Sequence, residues 1–394
     1  MKTSYKTTIY ASYLDYIVQG IVNNVNPILF IYYQTALGLT VDKIGLLIAI
    51  NFGVQIFVDL LASRYSEKIG IRACMIGASV FSILGLTGVG LSHFIMDNAF
   101  LGLAVSTVFN AIGGGLIEVL LSPIVEGVPE GNKDKRMSIL HSFYCWGCVG
   151  FIAISTILLK VIGGEFWYIV PVLWTIFPII TGILFIKAPI SFYVEERSNH
   201  VPVRNLVKTK LFWSLMLLMV CAGASEMAMS QWASYFSEVG LKVDKTVGDL
   251  LGPCLFAVLM GLARVFYGKS GNKVKLERVM LFSGLLCIFS YLLTVFAPHP
   301  LIGLMGCALC GLASGIFWPG TYSLAAKTFK TNGTAFFGLL AFAGDVGCFS
   351  GPQVASIVSE AVPKFGLKAG LAAAAVFPLV GCVILLTERK FKKS

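Results

Sequence analysis

Apolar residues run along this chain in long blocks, and the charges collect in the short segments between them. The blocks fall at about 8–36, 42–62, 73–95, 99–126, 137–161, 166–188, 209–237, 246–268, 277–297, 300–327, 334–361 and 366–387. A helix of about 20 predominantly apolar residues crosses the hydrocarbon core of a bilayer. The pattern therefore predicts twelve membrane-spanning helices. Several blocks carry Gly, Pro or an uncharged polar residue part-way along, which blurs any single hydropathy window.

Composition turns this pattern into a class. Of the 394 residues, 57% are apolar and 13% are Asp, Glu, Lys or Arg. A soluble domain carries roughly 25% charged residues, so this chain could not wet the surface of a soluble fold. The length suits an all-α membrane protein, because a span with its loop takes about 30 residues. The 41 glycines suit it too, since small residues let membrane helices approach closely. The ten cysteines lie within the apolar blocks or at their edges and read as small packing residues. Cys145 and Cys148, like Cys307 and Cys310, are three apart, but no further ligands are spaced for a metal. At the N-terminus, Lys2 and Lys6 run into a block too long for a cleavable signal, with no small-residue cleavage pattern.

The charges then give a sidedness. With the N-terminus in the cytoplasm, 24 of the 30 Lys and Arg residues, Arg264 included, fall on the cytoplasmic side. Lys43, Lys160, Lys242, Lys245, Lys364 and Lys368 fall outside. That is the bias of the positive-inside rule, and it also checks the span count, because one missed span would swap every later loop. The net charge of +10 is thus a topology signal, spread over alternate loops rather than gathered on one face for nucleic acid. The expected location is the cell (inner) membrane, with both termini cytoplasmic.

Polar residues 189–208 divide the chain in the middle. Six spans lie on each side, giving expected boundaries of 1–188, a linker at 189–208, and 209–394. The halves share weak self-similarity. Leu61-Ala62 stands before Gly70 as Leu262-Ala263 stands before Gly271, and Gly115 and Glu118 correspond to Gly315 and Trp318 at an offset of 200. Repeats of this kind place a solute site between the halves near the bilayer midplane.

At this point the chain resembles the major facilitator superfamily. The loop Ser63-Arg64-Tyr65-Ser66-Glu67-Lys68-Ile69-Gly70-Ile71-Arg72 is similar to that family's Gly-x-x-x-Asp-Arg-x-Gly-Arg-Arg/Lys motif, with Ser63 and Ile71 departing from it. The resemblance implies two six-helix bundles and gives Glu67, Lys68, Gly70 and Arg72 the role of a conformational latch. The alternative reading is ordinary loop charge. A narrower resemblance joins Asn23-Asn24-Val25-Asn26-Pro27, Gly113-Gly114-Gly115-Leu116-Ile117-Glu118 and the stretch from Arg136 to Gly147 to the L-fucose permease branch, whose members are mostly proton-coupled sugar symporters and some sodium-coupled. Glu118 matches the helix-four acid of that branch, while Pro27 stands where its helix-one Asp is expected.

An ionisable group in hydrocarbon is costly unless paired or facing water, so each one is a candidate. Glu118 leads, because its helix lines the cavity in the superfamily, where it can load and release a proton. Its other reading is a structural hydrogen bond. Asn110, Gly114, Glu118 and Ser122 recur every four residues as one polar stripe. Glu226, in the second-half counterpart of helix one, can stand in for the acid missing at Pro27. Gln231, Trp232 and Tyr235 follow it. Asp345 is a third intramembrane acid, flanked by glycines that equally allow a packing role. Gln19, Asn23 and Asn26 share a face of span one, where part of the asparagine cluster can also serve a carbonyl freed by Pro27. Trp318 and Tyr322 offer faces on which a sugar ring can stack, beside a Pro-Gly pair that suggests a break in helix ten. His141 and Tyr144 match polar, substrate-facing positions of the branch.

Together these features predict a secondary transporter for a sugar or similar small polar solute. Its expected partners are that solute, a coupling proton rather than sodium, and membrane lipid. A monomer is expected, with no cofactor, no metal and no nucleic acid. The competing reading is a proton-driven exporter of amphipathic compounds, which usually has a Gly-Pro motif in helix five; span five here has no proline. No metal cluster, phosphate loop or nucleophile–base spacing supports an enzyme, and no Walker sequence supports ATP-driven transport.

Overall fold

The computed structural model describes residues 5–129, 133–190, 207–270, 275–329 and 334–388. Most of the linker expected at 189–208 lies outside them. Among the described residues the chain is helical, with no strand, and it divides into two compact units, Met1–Val194 and Glu195–Ser394.

In the first unit α1 is Lys6–Thr35, α2 Val41–Ile69, α3 Ile71–Ile95, α4 Ala99–Glu126, α5 Lys133–Ile162 and α6 Ile169–Lys187. In the second unit α7 is Lys210–Gly240, α8 Lys245–Tyr267, α9 Leu276–Phe296, α10 Pro300–Lys327, α11 Thr334–Ala361 and α12 Leu367–Thr387. Ten of these are long and apolar enough to cross a membrane. The other two, α1 and α11, hold Asp15, Gln19 and three asparagines in one case and Asp345 with four glycines in the other.

Prolines set the irregularities. A proline inside a helix has no N–H for the carbonyl four residues back. The helical run in α6 lapses at Thr175, three residues before Pro178, and in α12 at Ala375, three before Pro378. In α10 the run ends at Ser314 and resumes at Phe317, ahead of Pro319, so the expected break in helix ten is present. In α8 a π-helical turn, Leu250–Cys254, contains Pro253, and a second π turn, Phe236–Gly240, closes α7. The α6 and α12 breaks stand at an offset of 200, the same as the sequence repeat.

Packing repeats at that offset as well. In the first unit α5 presses Gly147 against α1, where a Cβ would come 2.8 Å from the Ile17 Cα. In the second unit Gly347 of α11 meets α7, where a Cβ would fall on the Val220 carbonyl and within 2.8 Å of the Ala224 nitrogen. Gly344 and Gly351 continue that stripe, and Gly351 would meet the Ala224 Cα at 2.7 Å. Close glycine contacts replace the hydrophobic drive that helices lack in lipid. All ten cysteines are buried as free thiols, consistent with packing.

One residue, Gly70, turns the chain from α2 into α3 with φ 99°, a conformation costly for any residue with a Cβ. Just beyond it Arg72 donates to the carbonyls of Phe185 (3.2 Å), Ile186 and Ala188 (2.9 Å), the unused acceptors at the end of α6.

Replacing Gly347 with Val should lower the thermal transition of the purified protein, with a cost of about 1–3 kcal/mol for overpacking. Gly150→Ala, which faces open space, should leave it nearly unchanged.

Candidate solute and coupling site

The centre of the first unit carries a cluster of amides and one acid. Gln19 of α1 donates from Nε2 to Oε2 of Glu118 on α4 at 3.1 Å. Gln55 of α2 donates from Nε2 to Oδ1 of Asn23 at 2.9 Å. Gly114, one turn before Glu118, lies where the two glutamines converge: a Cβ there would stand 3.0 Å from Gln55 Nε2 and 3.1 Å from Gln19 Oε1. Three helices thus bring four hydrogen-bonding side chains around a glycine. Gln19 is 2% exposed, and its Oε1 makes no hydrogen bond. Glu118 is half-buried.

Other members of the expected site serve the bundle itself. Asn26 donates to Thr107 Oγ1 of α4 at 3.1 Å and accepts from Tyr33 Oη at 2.8 Å, so both ends of its amide are used. Asn24 donates to the Gly20 carbonyl at 2.8 Å, one turn back. Asn110 is fully buried with its side chain against Gly85 of α3. Spacing of four residues advances about 40° per step around a helix, so the stripe that begins at Asn110 has turned from α3 toward α1 by Glu118. His141 is exposed and edge-on to Tyr16, ring centroids 5.4 Å apart. Tyr144 is half-buried on the same helix.

In the second unit Glu226 of α7 meets Arg264 of α8, with Nη2 at 3.3 Å from Oε2 and 3.5 Å from Oε1. Arg264 therefore belongs inside a helix, not among the loop bases where the charge count puts it; the bias of that count stands without it. Gln231 is buried, and Trp232 is fully buried with its indole donating to the Pro352 carbonyl of α11 at 3.2 Å. The Trp318 ring fills the space that Gly344 leaves open, next to the buried Asp345, and Tyr322 is half-buried one turn on. A closed ionic group marks the α7–α8 turn. Lys245 Nζ reaches Asp249 Oδ2 at 2.9 Å and Ser234 Oγ at 3.1 Å, and Ser234 donates to Asp249 Oδ1 at 2.5 Å.

Against this geometry the comparisons decide the family. A model of the Major Facilitator Superfamily matches residues 14–352 and, separately, 254–393. The chain belongs to this superfamily. Its members are transporters, and the chain is a multi-pass membrane transporter. Among solved superfamily structures, it is similar to a D-xylose–proton symporter, at 13% identity and TM-score 0.81 over 99% of this chain and 100% of that one. It is also similar to a bacterial homolog of the human lysosomal transporter Spinster, inward-facing and occupied, at 15% identity and TM-score 0.74 over 98% and 97%. The E. coli fucose:proton symporter matches at 17% identity and TM-score 0.65 over 97% and 98%. At these identities the likeness establishes the fold. No curated protein sequence matches the chain.

Sequence reasoning passed over Gln55, Asn51, Asp15 and Arg264. Asn51 and Gln55 stand four apart on α2, both buried, and their signal was two amides inside a span. Asp15 is fully buried on α1 and faces Thr181 of α6; it stands four residues before Gln19. Arg264 was visible as a base within the eighth apolar block.

Tyr33→Phe should leave Asn26 Oδ1 without its donor and cost about 1–2 kcal/mol in thermal stability. Tyr10→Phe, at an exposed position, should cost almost nothing.

Proposed function

We propose that this transporter is a proton-coupled symporter of a sugar or a similar small polar solute, working by alternating access with both termini in the cytoplasm. The observation that carries the reading is the α1–α2–α4 cluster. Gln19, Asn23 and Gln55 supply amide donors and acceptors of the kind that satisfy hydroxyl groups. The bare acceptor at Gln19 Oε1 suits a hydroxyl donor, because a buried acceptor without a partner is costly. Glu118, hydrogen-bonded to that same Gln19, is the group that exchanges a proton. The solute-binding amide and the proton-carrying acid are then joined by one hydrogen bond, which is a direct route to coupling. Gly114 keeps the space open between the amides.

Two of the structural neighbours are sugar–proton symporters, which supports the solute class and the ion. The second unit has its own candidates for solute and coupling contacts, Glu226, Gln231, Trp318, Tyr322 and Asp345, with the Trp318 face suited to stacking. His141 and Tyr144 extend it at α5. Glu67 and Lys68 in the last turn of α2, with Gly70 and Arg72 beyond it, form the latch, and Arg72 acts there by holding the end of α6.

In proteoliposomes, an inward proton gradient should drive accumulation of at least one hexose or deoxyhexose, and a protonophore should abolish it. A sodium gradient alone should drive none. If no sugar accumulates under either gradient, and none raises the thermal transition of the purified protein, the reading fails.

A further inference from the structure

Asp15 of α1 lies inside the first unit, fully buried, and neither of its carboxylate oxygens accepts a hydrogen bond of normal geometry among the described residues. The bases of α1, α3 and α6 all stand at helix ends. Lys6 opens α1, Arg72 is the second residue of α3, and Lys187 closes α6. Arg72 is committed to the carbonyls of Phe185, Ile186 and Ala188. Among the described residues no Lys or Arg forms an ion pair with Asp15. A buried carboxylate without a compensating charge is costly in any bundle, and most of all in hydrocarbon.

The groups beside it offer oxygen without hydrogen. Asp15 faces Thr181 of α6, which stands 3.5 Å from Ser79 of α3, and both hydroxyls are buried. Each hydroxyl has one hydrogen to give. Thr181 directs its own at the Pro178 carbonyl (3.3 Å), and Ser79 at the Met75 carbonyl (3.2 Å). The hydrogens are thus spent on their own helices. Gly182 permits the approach: a Cβ there would stand 3.1 Å from the Ser79 Cβ and 3.3 Å from its Oγ. Three helices therefore bring a carboxylate and two hydroxyl oxygens together, short of one positive charge.

We infer that Asp15, Thr181 and Ser79 hold a resident sodium ion that ties α1, α3 and α6 together. Around a calcium-sized ion, with oxygen distances of about 2.3–2.6 Å, ligands at right angles stand about 3.3–3.7 Å apart. The 3.5 Å between Thr181 and Ser79 falls in that interval. Sodium has calcium's size and a single charge, which one carboxylate balances. Among the described residues no group of three His, Cys, Asp or Glu side chains offers a site for a more highly charged metal. Potassium is too large for this spacing. The ion stays bound while solute moves, so the inference is separate from the symport reading above.

The test is the thermal transition of the purified full-length protein in sodium, potassium and choline chloride at equal ionic strength and fixed pH. Sodium should raise the wild-type transition saturably, by about 2–4 °C at a tenfold excess over its dissociation constant. Potassium and choline should not. Asp15→Asn, which removes the charge that the ion balances, should melt at one temperature in all three salts. Thr181→Val keeps the carboxylate and removes one oxygen, and should raise the sodium midpoint at least about tenfold. Glu118→Gln should keep the wild-type response, which separates this ion from one bound at the coupling acid. Equal wild-type transitions in sodium and choline overturn the inference, and Asp15 is then a neutral acid. A sodium response that survives in Asp15→Asn also overturns it, because the ion then binds elsewhere. If Asp15→Asn does not fold, Thr181→Val decides, and an unchanged sodium midpoint overturns the inference.

Discussion

Polar groups placed in hydrocarbon must be answered from within the protein or by water, and most of this structure follows from how that demand is met. The first unit answers it with amides. Gln19, Asn23, Gln55 and Glu118 meet one another across three helices, and Asn26 is closed off by Thr107 and Tyr33. The second unit answers it with charge pairs, Lys245 with Asp249 and Glu226 with Arg264. Where the answer is complete, as at Asn26 or Asp249, the side chain holds helices together. Where it is incomplete, as at Gln19 Oε1, capacity is left over for a solute. That division separates packing from function better than the identity of the residues does.

The same demand shapes the backbone. Prolines at 178, 319 and 378 interrupt helices, and each interruption falls where a carbonyl has lost its donor. Such points are natural places for a helix to bend while its ends stay packed. Glycine contacts such as Gly147 on Ile17 and Gly347 on Val220 supply the fixed axes against which bending can occur. Arg72 holds the free end of α6 and so gives one broken helix a firm anchor.

Much of the fold was legible because a membrane imposes a long, simple period. Block lengths located the helices to within a few residues, except that α2 runs on to Ile69 through most of the loop expected after residue 62, and the pairing of Pro319 with Gly320 disclosed the break in α10. The site was legible only in part. Glu118, Gln19 and Asn23 stood out as polar residues in apolar blocks, but sequence spacing could not say which neighbour each would face. Asn110 shares a nominal stripe with Glu118 and still packs on Gly85 of α3, because a step of four residues drifts around the helix. Trp232 looked like a solute contact and instead donates to a carbonyl of α11. Arg264 stood out as a base within the eighth apolar block, but its partner lies 38 residues away in sequence and could not be read from spacing.

We propose that Glu118 exchanges the coupling proton while the amides around it hold the solute. The most direct measurement separates coupling from binding in one variant. Proteoliposomes containing Glu118→Gln are compared with wild type in two assays: accumulation driven by a proton gradient, and exchange of internal for external solute with no gradient. The variant should lose accumulation and retain exchange, since a glutamine keeps the contact with Gln19 and carries no proton. Gradient-driven accumulation by Glu118→Gln at the wild-type level would contradict it.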